Sequence, residues 1–120
     1  MPDAHITKRF TNITRATAVA ESTRVADNFF TRFRGLLWSP PLKPGEGLWI
    51  KPCNQIHMFG MAYAIDVVFL DKELRVVATV HEIGPGRMSK MYGKAHSVLE
   101  LPAGVIEASQ TAVGDQMLIE

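Results

Sequence analysis

The sequence predicts a mainly β domain, a compact barrel or sandwich of short, largely antiparallel strands with one short amphipathic helix and a second helical turn. Three observations carry this reading. Most apolar segments are short and run with the two-residue period of a strand. Only residues 28–37 show helical spacing. The strands also lack the intervening helices of crossover length that a parallel α/β sheet requires.

Each element follows in order. Residues 1–9 are expected to form an N-terminal tail and 10–120 a single domain. From Asn12 to Glu21, Ile13, Thr17 and Val19 fall on one side of a strand and Ala16, Ala18 and Ala20 on the other, with Thr23-Arg24-Val25-Ala26 a short partner after a turn. Phe29, Phe33, Leu36 and Leu37 then sit at helical spacing, Asp27 or Asn28 can cap the start, and Pro40-Pro41 prevents continuation. After a Pro/Gly loop over 42–47, residues 48–51 read as a strand. Residues 64–70 are nearly all apolar, as expected of a strand buried on both faces. Asp71-Lys72-Glu73 turns the chain, and the alternation of Leu74, Val76, Ala78 and Val80 makes the return strand of a hairpin. Residues 97–101 read as another strand, 103–109 as one helical turn after Pro102, and 116–119 as the last strand beyond the Gly114-Asp115 turn.

The totals exclude several function classes. With 120 residues, 47% apolar and 21% charged, the chain has the balance of one globular domain. A net charge of +1 and scattered basic residues give no electrostatic case for nucleic acid. One cysteine forms no internal disulfide. No apolar run approaches the ~20 residues that cross a bilayer, and Lys8, Arg9 and Arg15 interrupt the N-terminal region where a signal peptide would need an apolar core. The expected location is cytoplasmic, with no transmembrane segment and no nucleic-acid partner.

The candidate chemistry gathers around Pro52–Met61, which holds Cys53, His57, Met58 and Met61, followed by Asp66 within an apolar run. Cys53, His57 and Met61 recur every four residues, and thiolate, imidazole and thioether suit a soft ion such as copper(I). In a strand, however, neighbours four apart lie about 13 Å from each other. Core filling by Cys53 and Met61 is favoured, and neither a metal nor another cofactor is expected. Cys53 activated by His57, with Asp66 orienting the ring, would make a nucleophile, but only if the loop folds back. Asp66 needs a partner because a bare buried carboxylate is costly. Arg34 or Arg32 is the natural one, as a structural ion pair fixing the helix or as part of an Arg/Asp/His-lined pocket. Glu100 poses the same problem, and strand alternation is expected to turn it to solvent.

Aromatic and methionine residues allow a partner groove made from Phe29, Phe30, Phe33, Trp38 and Trp49 with Met58, Met61, Met88 and Met91. Phe29 and Phe33 are expected to pack inward. The irregular segment Met88–Gly93 reads as a mobile loop able to carry binding residues. Gly84-Pro85-Gly86 lacks the rest of a nucleotide-binding fingerprint.

Several blocks together resemble a known family. Phe33-Arg34-Gly35-Leu36-Leu37, Gly45 to Cys53, Ile56-His57-Met58-Phe59-Gly60-Met61, Ile65 to Asp71, Val98 to Gly104 and Val113-Gly114-Asp115 are similar in order and distance to DUF192, also called UPF0127. The resemblance covers roughly residues 10–120 and implies a compact, mostly β domain with no assigned activity. The sequence departs from it at Ala64, where relatives often have proline, and at Met58, where they often have threonine. The resulting expectation is a binding module for a small polar ligand or a protein partner. Its expected cleft is formed by Arg34, Cys53, His57, Asp66, Met88 and Tyr92. The alternatives are an enzyme using Cys53 and His57 or a soft-metal-binding protein.

Overall fold

The computed structural model describes residues 7–37 and 39–120, without the side chains of Phe29 and Phe30. Strand β1 (Lys8–Asn12) begins the sheet, so Lys8 and Arg9 belong to it and not to a tail. The chain reverses over residues 13–16, where Asn12 Oδ1 accepts the Arg15 N–H at 3.1 Å and Ala16 takes a φ of 58°. Strand β2 (Thr17–Ala26) then runs without a break. The reversal therefore falls inside the predicted strand 12–21, where the Asn12 side chain closes a turn locally, and the turn expected before Thr23 is not formed.

Helix α1 (Phe29–Arg34) starts at a reciprocal cap in which Asn28 accepts from the Thr31 N–H and the Thr31 hydroxyl accepts from the Asn28 N–H. It stops earlier than the periodicity predicts, at Gly35, whose φ of 52° ends the helical path. Strands β3 (Glu46–Ile50), β4 (Ile65–Leu70), β5 (Val76–Ile83) and β6 (Ser97–Pro102) follow. The short helix α2 (Val105–Ala108) and strand β7 (Met117–Ile119) complete the chain. Every residue of β4 is buried, as its unbroken apolar composition predicts.

All seven strands form one sheet in the order β5-β4-β6-β3-β2-β1-β7, antiparallel except for β2 with β3. The sheet curls into a half-barrel whose two edges touch at one end. There the Val76 N–H reaches Asp115 O at 2.8 Å and the Met117 N–H reaches Leu74 O at 2.9 Å. The parallel pair is possible because α1 and its following loop carry the chain from the end of β2 back to the start of β3.

Cross-strand partners share a face, so the register sorts the side chains. Arg24, Leu48, Glu100, Val67 and Val80 lie in one row and Val25, Trp49, Leu99, Val68 and Thr79 in the next. The second face lines the inside of the curl, where Phe10, Val68, Leu70, Leu99, Leu101, Ile106 and Met117 form one core cluster. Phe10 meets Trp49 edge-on there, with ring centroids 5.3 Å apart. The first face looks outward, yet it is covered too. Leu36, Ile56 and Met58 pack on it, with Met61, Tyr63, Tyr92 and Ala95 at the margin. Phe33 does not join them: it is 73% exposed, because the helix ends before the predicted apolar stripe is complete and Leu36 supplies the anchor. Phe29 and Trp38 lie outside the described side chains.

Candidate functional site

Asp66 and Glu100 sit on adjacent strands, but the register sends them to opposite faces. Asp66 pairs with Leu101 and Glu100 with Val67. Asp66 points into the curl and is fully buried. Its Oδ1 accepts the Glu82 N–H at 2.9 Å, and its Oδ2 accepts the N–H groups of Gly104 at 3.0 Å and Ile106 at 2.9 Å. Glu82 lies at an irregularity of the β4–β5 ladder and has a φ of 48°, so its amide is free to turn to the carboxyl group. The other two amides belong to the start of α2. The expected pair with Arg34 or Arg32 is therefore not formed: backbone donors satisfy Asp66, and it cannot orient His57. Arg34 instead donates from Nε to Leu37 O at 3.0 Å, bracing the turn after α1.

Glu100 overturns its expectation in the opposite direction. It is only 6% exposed, because the outward face at β6 is roofed by α1 and the Cys53–Met61 loop. Among the described residues its carboxyl group has no hydrogen bond or ion pair. Burial alone pushes the group up to about 7. Val98, two residues earlier, was the available sequence signal. An apolar residue sharing the Glu100 face implies that this face is covered.

Glu100 lines a cavity of about 160 Å³. One wall comes from Arg32 to Leu37, the opposite wall from Cys53 and Gln55–Phe59, and Ile50 and Ile65 rise from the sheet beside Glu100. Gly60 permits the close approach of the two walls. A Cβ there would stand 3.1 Å from Leu37 Cδ1, and its φ of 80° disfavours a side chain independently. A wider open depression of about 650 Å³ adjoins this cavity and shares Arg32, Phe33, Ile50, Cys53 and Gln55 with it.

Of the six predicted site residues, Arg34, Cys53 and His57 line the cavity. Asp66 is on the other face. Met88 and Tyr92 line a separate depression beside Val80–Ile83. Their segment is irregular but not loose: Arg87 O accepts the Met58 N–H at 2.7 Å, the Ser89 N–H reaches Ile56 O at 2.9 Å, and the Tyr92 N–H reaches Asn54 O at 2.9 Å. Tyr92 also packs on Phe69 with centroids 4.6 Å apart. The segment thus holds the cavity's outer wall in place and does not line it. Arg32, Met58, Phe59 and Glu100 are lining residues absent from the predicted set.

Cys53 is half-buried, and its Sγ–H donates to Gln55 O at 3.1 Å. Burial raises its thiol pKa; the Gln55 contact lowers it, the Glu100 charge raises it and Arg32 lowers it, with a net upward displacement. That is the reverse of an activated thiolate. His57 is exposed and stacks on Phe59 with centroids 4.9 Å apart. Among the described residues, no three His, Cys, Asp or Glu side chains come together as a metal cluster. None of the described helices is long and apolar enough to cross a membrane.

The DUF192 family, described as "Uncharacterized ACR", matches residues 11–119. The chain belongs to this family. A UPF0127 protein of Thermococcus sibiricus is 34% identical over 111 residues, covering 88% of this chain and 71% of that protein. Another from Pyrococcus furiosus is 32% identical, covering 88% and 93%. Among solved structures, a protein of unknown function from Novosphingobium aromaticivorans superposes with a TM-score of 0.80 at 18% identity, over 94% of this chain and 84% of that one. A Sinorhizobium meliloti protein gives 0.77 at 17% identity, over 92% and 90%. These two likenesses bear on the DUF192 fold alone.

Proposed function

We propose that this DUF192 domain is a binding module that receives a small polar ligand in the cavity between the α1 turn and the Cys53–Met61 loop. The observation that carries the reading is Glu100, which is buried without a protein partner and borders empty space. Burying an ionisable group unpaired is costly, and a bound ligand offsets that cost. Cavities of this kind, with apolar walls and a few convergent polar groups, are the usual form of a ligand site. At about 160 Å³ the space is of the order of one that holds benzene (~150 Å³), which limits an enclosed ligand to roughly six to eight non-hydrogen atoms.

Catalysis by Cys53 and His57 has less support. The thiol is committed to a carbonyl and raised in pKa, and the third member of the expected set faces the other side of the sheet. The soft-metal alternative has Cys53, His57 and Met61 on one cavity lining, but among the described residues no three His, Cys, Asp or Glu side chains gather there to complete a ligand set.

A chemically mixed fragment library followed by amide NMR tests the proposal. Binding is expected to shift the amides of Cys53, Met58, Phe59 and Glu100 together. Shifts confined to the Met88–Tyr92 depression, or none with any fragment, overturn it.

A further inference from the structure

The binding proposal leaves the ligand's chemistry open, and the charges of this same cavity narrow it. Glu100, at the inner end, offers only acceptor atoms when ionised and meets no protein donor. Arg32, exposed on the same lining, has a side chain without a hydrogen bond or ion pair among the described residues. Arg34 adds a second guanidinium, of which Nε is held by Leu37 O. A simple cation satisfies Glu100 but has to sit beside these guanidinium groups. A simple anion satisfies an arginine but leaves Glu100 buried and unpaired, and adds a like charge near it. A molecule carrying both charges meets both requirements.

Resting on that reading of the cavity, we propose that its ligand class is a compact zwitterion, with an ammonium group set against Glu100 and a carboxylate held by Arg32. Met58, Leu36 and Ile65 give the intervening carbons an apolar wall. The small volume favours an amino acid of short carbon chain over a peptide or nucleotide.

Calorimetric titration decides it with β-alanine, γ-aminobutyrate and δ-aminovalerate as zwitterions, ethylamine, propylamine and butylamine as their matched amines, and propionate, butyrate and valerate as their matched carboxylates. At least one zwitterion is expected to bind about ten-fold more tightly than its matched amine and its matched carboxylate, as the loss of a charge-assisted bond implies. Glu100→Gln and Arg32→Ala are each expected to weaken that zwitterion about ten-fold. Arg32 is exposed, so its variant keeps the test valid even if the Glu100 variant folds poorly. Equal binding of a matched amine or carboxylate, or an unchanged affinity in Arg32→Ala, overturns the zwitterion assignment. If mixed fragments shift the cavity amides while every zwitterion fails, the assignment falls and the binding module stands. If no fragment shifts them, both fall.

Discussion

Asp66 and Glu100 are neighbouring acids in the most buried part of one sheet, yet their environments are opposite. Asp66 has three backbone donors within hydrogen-bond distance. Glu100 has none, and its carboxyl group borders a cavity. The difference arises from strand parity: one position off in register places a side chain against the α2 cap or against the roof formed by α1. A satisfied buried carboxyl group is part of the scaffold. An unsatisfied one destabilises the scaffold, and its retention is physically intelligible when something other than the fold pairs with it.

The largest effect expected from breaking this comparison is at Asp66. Asp66→Ala strands the Glu82, Gly104 and Ile106 amides, the last of them on a fully buried residue. A loss of about 4 kcal/mol is expected, or a fall in Tm on the order of 15 °C, measured by urea and thermal unfolding. Asp66→Asn should recover only part, because its single acceptor oxygen replaces two that serve three donors. A cost below about 1 kcal/mol for Asp66→Ala would show that these bonds do not hold the α2 cap.

Glu100 should behave in the opposite sense. Its folded pKa lies above the ordinary carboxylate value of 4.5, at about 7. Below 4.5 both folded and unfolded chains hold the proton and there is no penalty. Between 4.5 and about 7 only the unfolded chain releases it, so stability falls as pH rises, by on the order of 3 kcal/mol in total. The charged and titratable groups around this carboxyl group are Arg24 in its own row, Tyr63, Cys53 and His57 of the covering loop, and Arg32 and Arg34 in the last turn of α1. Glu100→Gln removes the term. Its advantage over the native protein is expected to grow from near zero at about pH 4 to roughly 3 kcal/mol at about pH 8. Asp115 contributes with the other sign. Arg15 and Asn12 hold its carboxyl group below 3.8, so that stability is present above 3.8 and is lost as pH falls further. Unfolding measured above that range therefore isolates Glu100. A Glu100→Gln variant less stable than the native protein at about pH 8 would contradict the unpaired state.

How much of this was legible in the sequence follows from the range of the interactions. The β4–β5 hairpin and the double burial of β4 are local, and the apolar pattern and the Asp71 turn specify them. So does the end of α1, although Gly35 was the stronger stop signal than Pro40-Pro41. That Asp66 needed a partner was also legible. Which partner was not, because its donors lie 16, 38 and 40 residues away and are backbone groups, identical in every sequence. The parallel β2–β3 pair and the edge closure at Val76 depend on long-range packing in the same way. Glu100 was misread because alternation assigns a face but does not say what covers it. Arg34, Cys53 and His57 could be grouped because they flank the loop and turn that build the cavity. Met88 and Tyr92 belong to the segment that braces that loop through backbone hydrogen bonds, and they line a different depression, so they fell outside.

The smallest expected effect is at Cys53, where the two acids can be told apart by a reporter neither contacts through a hydrogen bond. The raised thiol pKa predicts slow alkylation by iodoacetamide at neutral pH, slower than a free cysteine. Glu100 contributes to that rise through its charge, after burial and against the Gln55 contact. Removing the charge in Glu100→Gln should speed alkylation roughly two- to three-fold near pH 8, where the native carboxyl group is largely ionised. Removing the opposing charge in Arg32→Ala should slow it by a similar factor. Asp66→Asn, on the far face, should leave the rate of the folded protein unchanged. An equal response to Asp66→Asn and Glu100→Gln would mean that the thiol reports general loosening of the domain. A response confined to Glu100 and Arg32 would place both charges at the thiol's own cavity, with the buried acid ionising beside a group the sequence alone had paired with the wrong carboxylate.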